Sequence, residues 1–197
     1  MPDLKGRYPK ISFEIEKSIL KKILTQVENI GSIIKEKGCP IWYRFAGGRY
    51  YKVITNYSTN SSAERVIYFD EKIANSIGAM LSSNLYFWFY QIFSDNLNLK
   101  QYEIDTFGVP NLSDETIERL EQIYSEYLID IEKNASIRTT TEKSSYNVSE
   151  FKEYKIGKSK HLIDQIDDII CPVYGLTHEE TEFIKRYEIE FRLSDNN

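Results

Sequence analysis

The chain has 197 residues, 41% of them hydrophobic and 28% charged, with a formal net charge of −5. That content supports a sizeable buried core and excludes a disordered chain, and the net acidity argues against a uniformly basic surface. Two distant cysteines, Cys39 and Cys171, have neither the spacing of a zinc site nor the number of a disulfide framework.

The charge is unevenly spread. Residues 1–52 carry 11 Lys/Arg against 5 Asp/Glu, whereas residues 102–133 carry 2 against 9. Such polarity suits an anionic partner at the basic end. Aromatic residues make up 14%, with 15 tyrosines, and an amphipathic Tyr serves contact surfaces as well as cores. The segment from Met1 to Arg7 lacks the apolar core of a signal peptide, and no run reaches the length of a membrane span. A cytoplasmic location is the expectation.

In chain order, Ile15, Ile19, Ile23, Val27 and Ile30 recur at helical spacing and predict a helix over 12–37, with Gly31 as a candidate break. Next, two aromatic and β-branched runs flank Gly47-Gly48, which predicts a β-hairpin over 41–54. A two-residue turn there sets Arg44 opposite Tyr51 and Ala46 opposite Arg49. Trp42, Arg44, Ala46, Arg49, Tyr51 and Val53 then share one face. Ile41, Tyr43, Phe45, Tyr50, Lys52 and Ile54 share the other, the more buried of the two. Arg65 to Phe69 reads as a third strand that extends this sheet.

Asp70 is a candidate N-cap for a helix carrying Ile73, Ile77, Met80 and Leu81. Ser82-Ser83-Asn84 interrupts it, and the dense apolar run from Leu85 to Phe93 predicts a central core helix. Phe107-Gly108-Val109-Pro110 ends that unit. Ser113 or Asp114 caps a long helix with Ile117, Leu120, Ile123, Tyr127, Leu128 and Ile131 on one stripe. Residues 134–150 hold seven Ser/Thr among 17 and read as a flexible linker or loop. Two C-terminal helices follow, the first with Ser159 as candidate cap, the second opened by a Thr177/Glu180 capping box.

The predicted fold class is therefore α+β, predominantly helical, with a small antiparallel sheet built on the 41–54 hairpin. Residues 1–133 are expected to form a hairpin-containing domain with core helices, 134–150 a flexible linker or loop, and 151–197 a C-terminal helical subdomain.

No catalytic constellation stands out. His161 and His178 have no nucleophile or metal-ligand spacing around them, and glycine-rich phosphate loops and zinc-protease patterns are missing. Glu150-Phe151-Lys152 and Glu153-Tyr154-Lys155 match half of a nuclease motif without its upstream acidic partner. Asp164, Asp167 and Asp168 read as a solvated helix face. No catalytic, cofactor-binding or metal residue is assigned.

The order of the motifs carries more information than any one of them. The aromatic Gly47-Gly48-Arg49-Tyr50-Tyr51-Lys52 hairpin is followed by Ser82-Ser83-Asn84-Leu85-Tyr86-Phe87-Trp88-Phe89, then by Ser94 to Leu99, Glu103-Ile104 and Phe107-Gly108-Val109-Pro110. Lys158 to Asp167, Tyr174-Gly175-Leu176-Thr177 and Tyr187 to Arg192 close the series. Over residues 13–192 this resembles the C-terminal target-recognition region of bacterial adenine-N6 DNA methyltransferases of restriction–modification and phage-defence systems. It departs from the family at His161, where a proline is usual, and at 107–110, where Phe-Pro-Ile-Pro is usual.

The resemblance implies a module that binds double-stranded DNA. Methylation would be performed by an upstream catalytic domain or subunit that holds S-adenosylmethionine. This chain lacks that domain's Asn-Pro-Pro-Tyr/Phe motif, since none of its five prolines adjoins another. It also implies roles for hairpin residues: Arg44 and Arg49 at bases or phosphates, Lys52 at the backbone, and Tyr50 or Tyr51 at sugar or in the gap left by a flipped adenine. The competing expectation is a helical protein–protein interaction module that binds no DNA. A stand-alone nuclease or transferase is disfavoured by the missing motifs.

Overall fold

The computed structural model describes residues 8–46, 52–95, 98–139 and 150–194. Its architecture is α+β and predominantly helical, with small antiparallel sheets. The N-terminal helix is shorter than its periodicity predicts. Helix α1 (Glu14–Leu24) buries Ile19, Leu20 and Ile23, with glutamates in its first turn and lysines in its last, as the helix dipole favours. It stops near Thr25, ahead of Gly31, and Val27 is fully exposed. Strand β1 (Glu28–Asn29) and helix α2 (Ile30–Ile33) follow. A long-range pairing causes the break: β1 lies antiparallel to a strand some 80 residues away, with Asn29 opposite Gly108. Local spacing carries no trace of such a partner.

Strands β2 (Cys39–Arg44), β3 (Ile54–Thr55) and β4 (Glu64–Phe69) form one sheet in the order β3-β2-β4. The register differs from that of a Gly47-Gly48 turn. Trp42 faces Thr55 and Tyr43 faces Ile54, a displacement of two residues. Side chains alternate with period two, so the displacement leaves the two faces unchanged. Ile41, Tyr43 and Ile54 are buried as expected, and Trp42 and Arg44 are half-buried on the opposite face.

Asp70 does not cap the next helix. Its carboxylate accepts the Lys72 N–H at 3.0 Å in the preceding turn, and helix α3 (Ala74–Ser82) starts after Ile73. Ser83 breaks the helical path and caps α4 (Asn84–Phe93), accepting the Tyr86 N–H at 3.0 Å. Every residue of α4 from Asn84 to Ile92 is buried, which makes it the centre of the molecule. Helix α5 (Gln101–Asp105) leads to strand β5 (Gly108–Val109), the partner of β1. Phe107 meets the rings of Tyr86 and Phe89 edge-on at 5.2 and 5.1 Å.

Ser113 caps the long helix α6 (Asp114–Lys133), whose predicted stripe is buried. The stretch expected as a linker begins and ends in paired strands, β6 (Ser136–Thr139) and β7 (Glu150–Glu153), with 140–149 outside the described residues. A 3-10 turn (Ile156–Ser159) precedes α7 (Lys160–Val173). The Ser159 hydroxyl does not cap α7; it donates to Asp130 of α6 at 2.7 Å. Helix α8 (His178–Arg186) opens with the Thr177/Glu180 capping box, and α9 (Ile189–Ser194) follows. Ile163, Ile166 and Ile170 of α7 join the same hydrophobic core as α4 and α6. Among the described residues, no helix is long and apolar enough to cross a membrane.

Candidate nucleic-acid interface

The sheet ends where β2 runs out toward the hairpin tip. The Arg44 N–H still donates to the Val53 carbonyl at 3.0 Å, and the Leu99 N–H donates to the Phe45 carbonyl at 2.7 Å. The chain between 98 and 100 thereby braces the exit of β2. Tyr43 adds a second brace. Its hydroxyl donates to Gln101 Oε1 at 2.8 Å, and Gln101 in turn donates to Asp105 at 2.7 Å. Burial raises the Tyr43 pKa, opposed by the Arg65 guanidinium beside it, so the phenol stays protonated as a donor.

Three cationic side chains gather at this end. Arg44 is half-buried on the Trp42 face, its Nε donating to the Ala46 carbonyl at 3.0 Å. Glu64 stands opposite Arg44 across the ladder. However, the Glu64 carboxylate accepts the Ser58 hydroxyl at 2.7 Å, the Thr59 N–H at 2.9 Å and the Thr59 hydroxyl at 2.8 Å. It is therefore occupied by the 58–59 loop. Arg65 starts from the Tyr43 face and is exposed, its guanidinium 4.5 Å from the centre of the Phe45 ring. Among the described residues, neither arginine has a carboxylate partner.

Lys52 shares the Tyr43 face and turns inward, its ammonium 5.2 Å from the Tyr90 ring centre. Burial lowers its pKa, and Glu103 works in the opposite direction. The Glu103 carboxyl is itself buried, which raises its pKa above the usual carboxylate range. Of the expected contact residues, the structure thus places Arg44 at the surface end of the sheet and Lys52 partly beneath it. Arg49, Tyr50 and Tyr51 lie outside the described residues. Arg65 was not among the expected contacts. Its strand was legible, but its position beside Tyr43 depends on the β2–β4 register.

A second cluster joins the segments that carry the family resemblance. At the start of α4, the backbone N–H groups of Asn84 and Leu85 each donate to the Asp167 carboxylate at 3.0 Å. The Asn84 amide donates to Asp167 at 2.6 Å and to Asp164 at 2.9 Å. Arg192 donates to the Asn84 side-chain oxygen and, at 2.9 Å, to the Tyr187 carbonyl, with its guanidinium 4.4 Å from the Phe87 ring centre. Lys160 pairs with Asp164. Burial pushes the Asp167 pKa up to about 6, against the pull of these hydrogen bonds. Asp164 and Asp167 are thus parts of a polar joint, and only Asp168 stays exposed.

The histidines are both exposed, at the first turns of α7 and α8. Among the described residues, no three His, Cys, Asp or Glu side chains gather into a group that could hold a metal ion. No family model, no curated protein and no solved structure matches this chain.

Proposed function

We propose that this chain is a DNA target-recognition module of a restriction–modification or phage-defence adenine methyltransferase. It acts in the bacterial cytoplasm on double-stranded DNA. Methyl transfer from S-adenosylmethionine belongs to a catalytic domain or subunit outside these 197 residues. The motif order supports the family. The observation that carries DNA binding is the pair Arg44 and Arg65, which start from opposite faces of one sheet end and have no carboxylate partner among the described residues.

A two-stranded β-ribbon fits the major groove, which is bordered by a phosphate strand on each side. A ribbon with cations on a single face would neutralise one border. Arg44 on one face and Arg65 on the other suit both, and reading base edges is left to the hairpin residues Arg49, Tyr50 and Tyr51.

Fluorescence anisotropy with a labelled duplex tests this reading. Affinity should fall steeply between 50 and 200 mM salt, as expected when phosphates are neutralised. Arg44→Ala and Arg65→Ala should each weaken binding about tenfold and reduce the salt slope by about one. Salt-independent binding, or two variants as tight as the parent, overturns the assignment.

A further inference from the structure

A groove of about 560 Å³ runs between the start of α1 and α8. Its floor is apolar: Phe13, Ile15, Phe183 and Tyr187, the last two with ring centres 6.0 Å apart. Phe13 is 65% exposed although it is one of the largest apolar side chains in the N-terminal region. The rim is acidic. Glu179, Glu182 and Glu188 border the groove against one cation, Arg186, which Glu182 holds at 3.3 Å, whereas Glu16 is buried and accepts the Ser12 and Phe13 N–H groups. Glu188 sits in the left-handed backbone region at φ 51°, an arrangement that costs free energy for a residue with a side chain. Ser18 and Lys22 of α1 both contact Glu180 of α8, so the two walls are fastened to one another and the groove is preformed.

We propose that this groove seats a protein segment that is apolar on one side and flanked by Lys or Arg, as in a basic amphipathic helix. The apolar floor with exposed Phe13 provides the anchor, and the carboxylate rim selects the charge. The same rim repels nucleic acid and anionic lipid. It also disfavours a two-fold dimer through this patch, because an isologous interface would set acidic rim against acidic rim. The docking of such a segment is independent of the DNA-binding reading, since Arg44 and Arg65 belong to the sheet.

The test uses a synthetic amphipathic helix of Leu and Lys, with a Leu/Glu helix of the same pattern as its counterpart, titrated into the full chain by calorimetry. The Leu/Lys helix should bind and the Leu/Glu helix should not. Phe13→Asp, at an exposed position, should weaken binding about tenfold. The double variant Glu179→Lys/Glu188→Lys should weaken it similarly and admit the Leu/Glu helix. Glu115→Lys/Glu118→Lys, on the exposed side of α6, should leave affinity unchanged, and circular dichroism should show all variants folded. Equal loss in the α6 variant would reduce the effect to general acidity and overturn the proposal. So would a failure of the Leu/Lys helix to bind, or self-association of the parent chain that Phe13→Asp abolishes.

Discussion

At the scale of single residues, the site depends on which charges are already spent. Glu64 looks like the natural partner of Arg44, yet its oxygens are taken by Ser58 and Thr59. Lys52 differs from both arginines because it turns inward over Tyr90 and is partly desolvated. Lys52→Met should therefore weaken DNA binding less than Arg44→Ala in the same anisotropy titration. An equal or larger loss would mean that Lys52 swings outward to meet a phosphate. Asp167 yields a prediction about pH. Its folded pKa of about 6 lies above the ordinary value near 3.9, so the native state holds its proton more tightly than the unfolded chain does. The resulting stability is fully present below about pH 4 and is lost as pH rises through about 6, about 3 kcal/mol in all. Asp167→Asn removes that titration. The parent's stability minus the variant's, read by urea unfolding, should rise as pH falls from 7 to 5. A difference that falls instead would show that the three donors from Asn84 and Leu85 outweigh burial.

At the scale of elements, close approaches fix what the chain can tolerate. Gly108 in β5 is pressed against the end of α1: an added Cβ would lie 2.0 Å from the Ile23 carbonyl oxygen. Gly108→Ala must push β5 away from α1, and with it the pairing that stops α1 near Thr25. A loss of about 3 kcal/mol in urea unfolding is expected. An unchanged midpoint would mean that the β1–β5 pairing is dispensable. This pairing also shows where sequence reading stops. Ser113 and the Thr177/Glu180 box were legible because a cap acts within one turn of its own helix. The burial of α4 was legible because its apolar run has no polar stripe. The split of the 12–37 helix was not, since both 26–29 and 107–110 must be known before either reads as a strand. The hairpin register was hidden for a different reason. Two registers two residues apart bury the same side chains, so hydrophobic pattern cannot choose between them. Arg65 was missed at the same step, because its neighbours follow from that register.

At the scale of the whole molecule, one hydrophobic core runs from the sheet through α3 and α4 to α6 and α7. The polar joint of Asn84, Asp167 and Arg192 ties the last helices to the first turn of α4. Segments far apart in sequence therefore depend on each other for burial. Far-UV and near-UV circular dichroism should report a single coincident urea transition. A chain ending at 133 should lose that transition, because α4 and α6 would be stripped of the cover that Ile163, Ile166 and Ile170 provide. A truncated chain that unfolds cooperatively would show instead that the first 133 residues are self-sufficient.

The pleat of β2 has a consequence for how the tip can change. Adding or removing residues in pairs between Arg44 and Val53 keeps Tyr43 and Ile54 inward, so the foundation does not register the edit. A single-residue change is taken up in the loop or as a bulge, because a slip of one along the ladder would turn a flank inside out while β4 holds β2 in place. Register slips that respect the foundation are thus quantised in steps of two, while the length of the loop can vary over a base clamped by Gln101 and Leu99. A library of tips of varied length built on this sheet should yield folded members at odd and even changes alike, read by the urea midpoint of each, and a collapse confined to odd lengths would show that the tip sets the register.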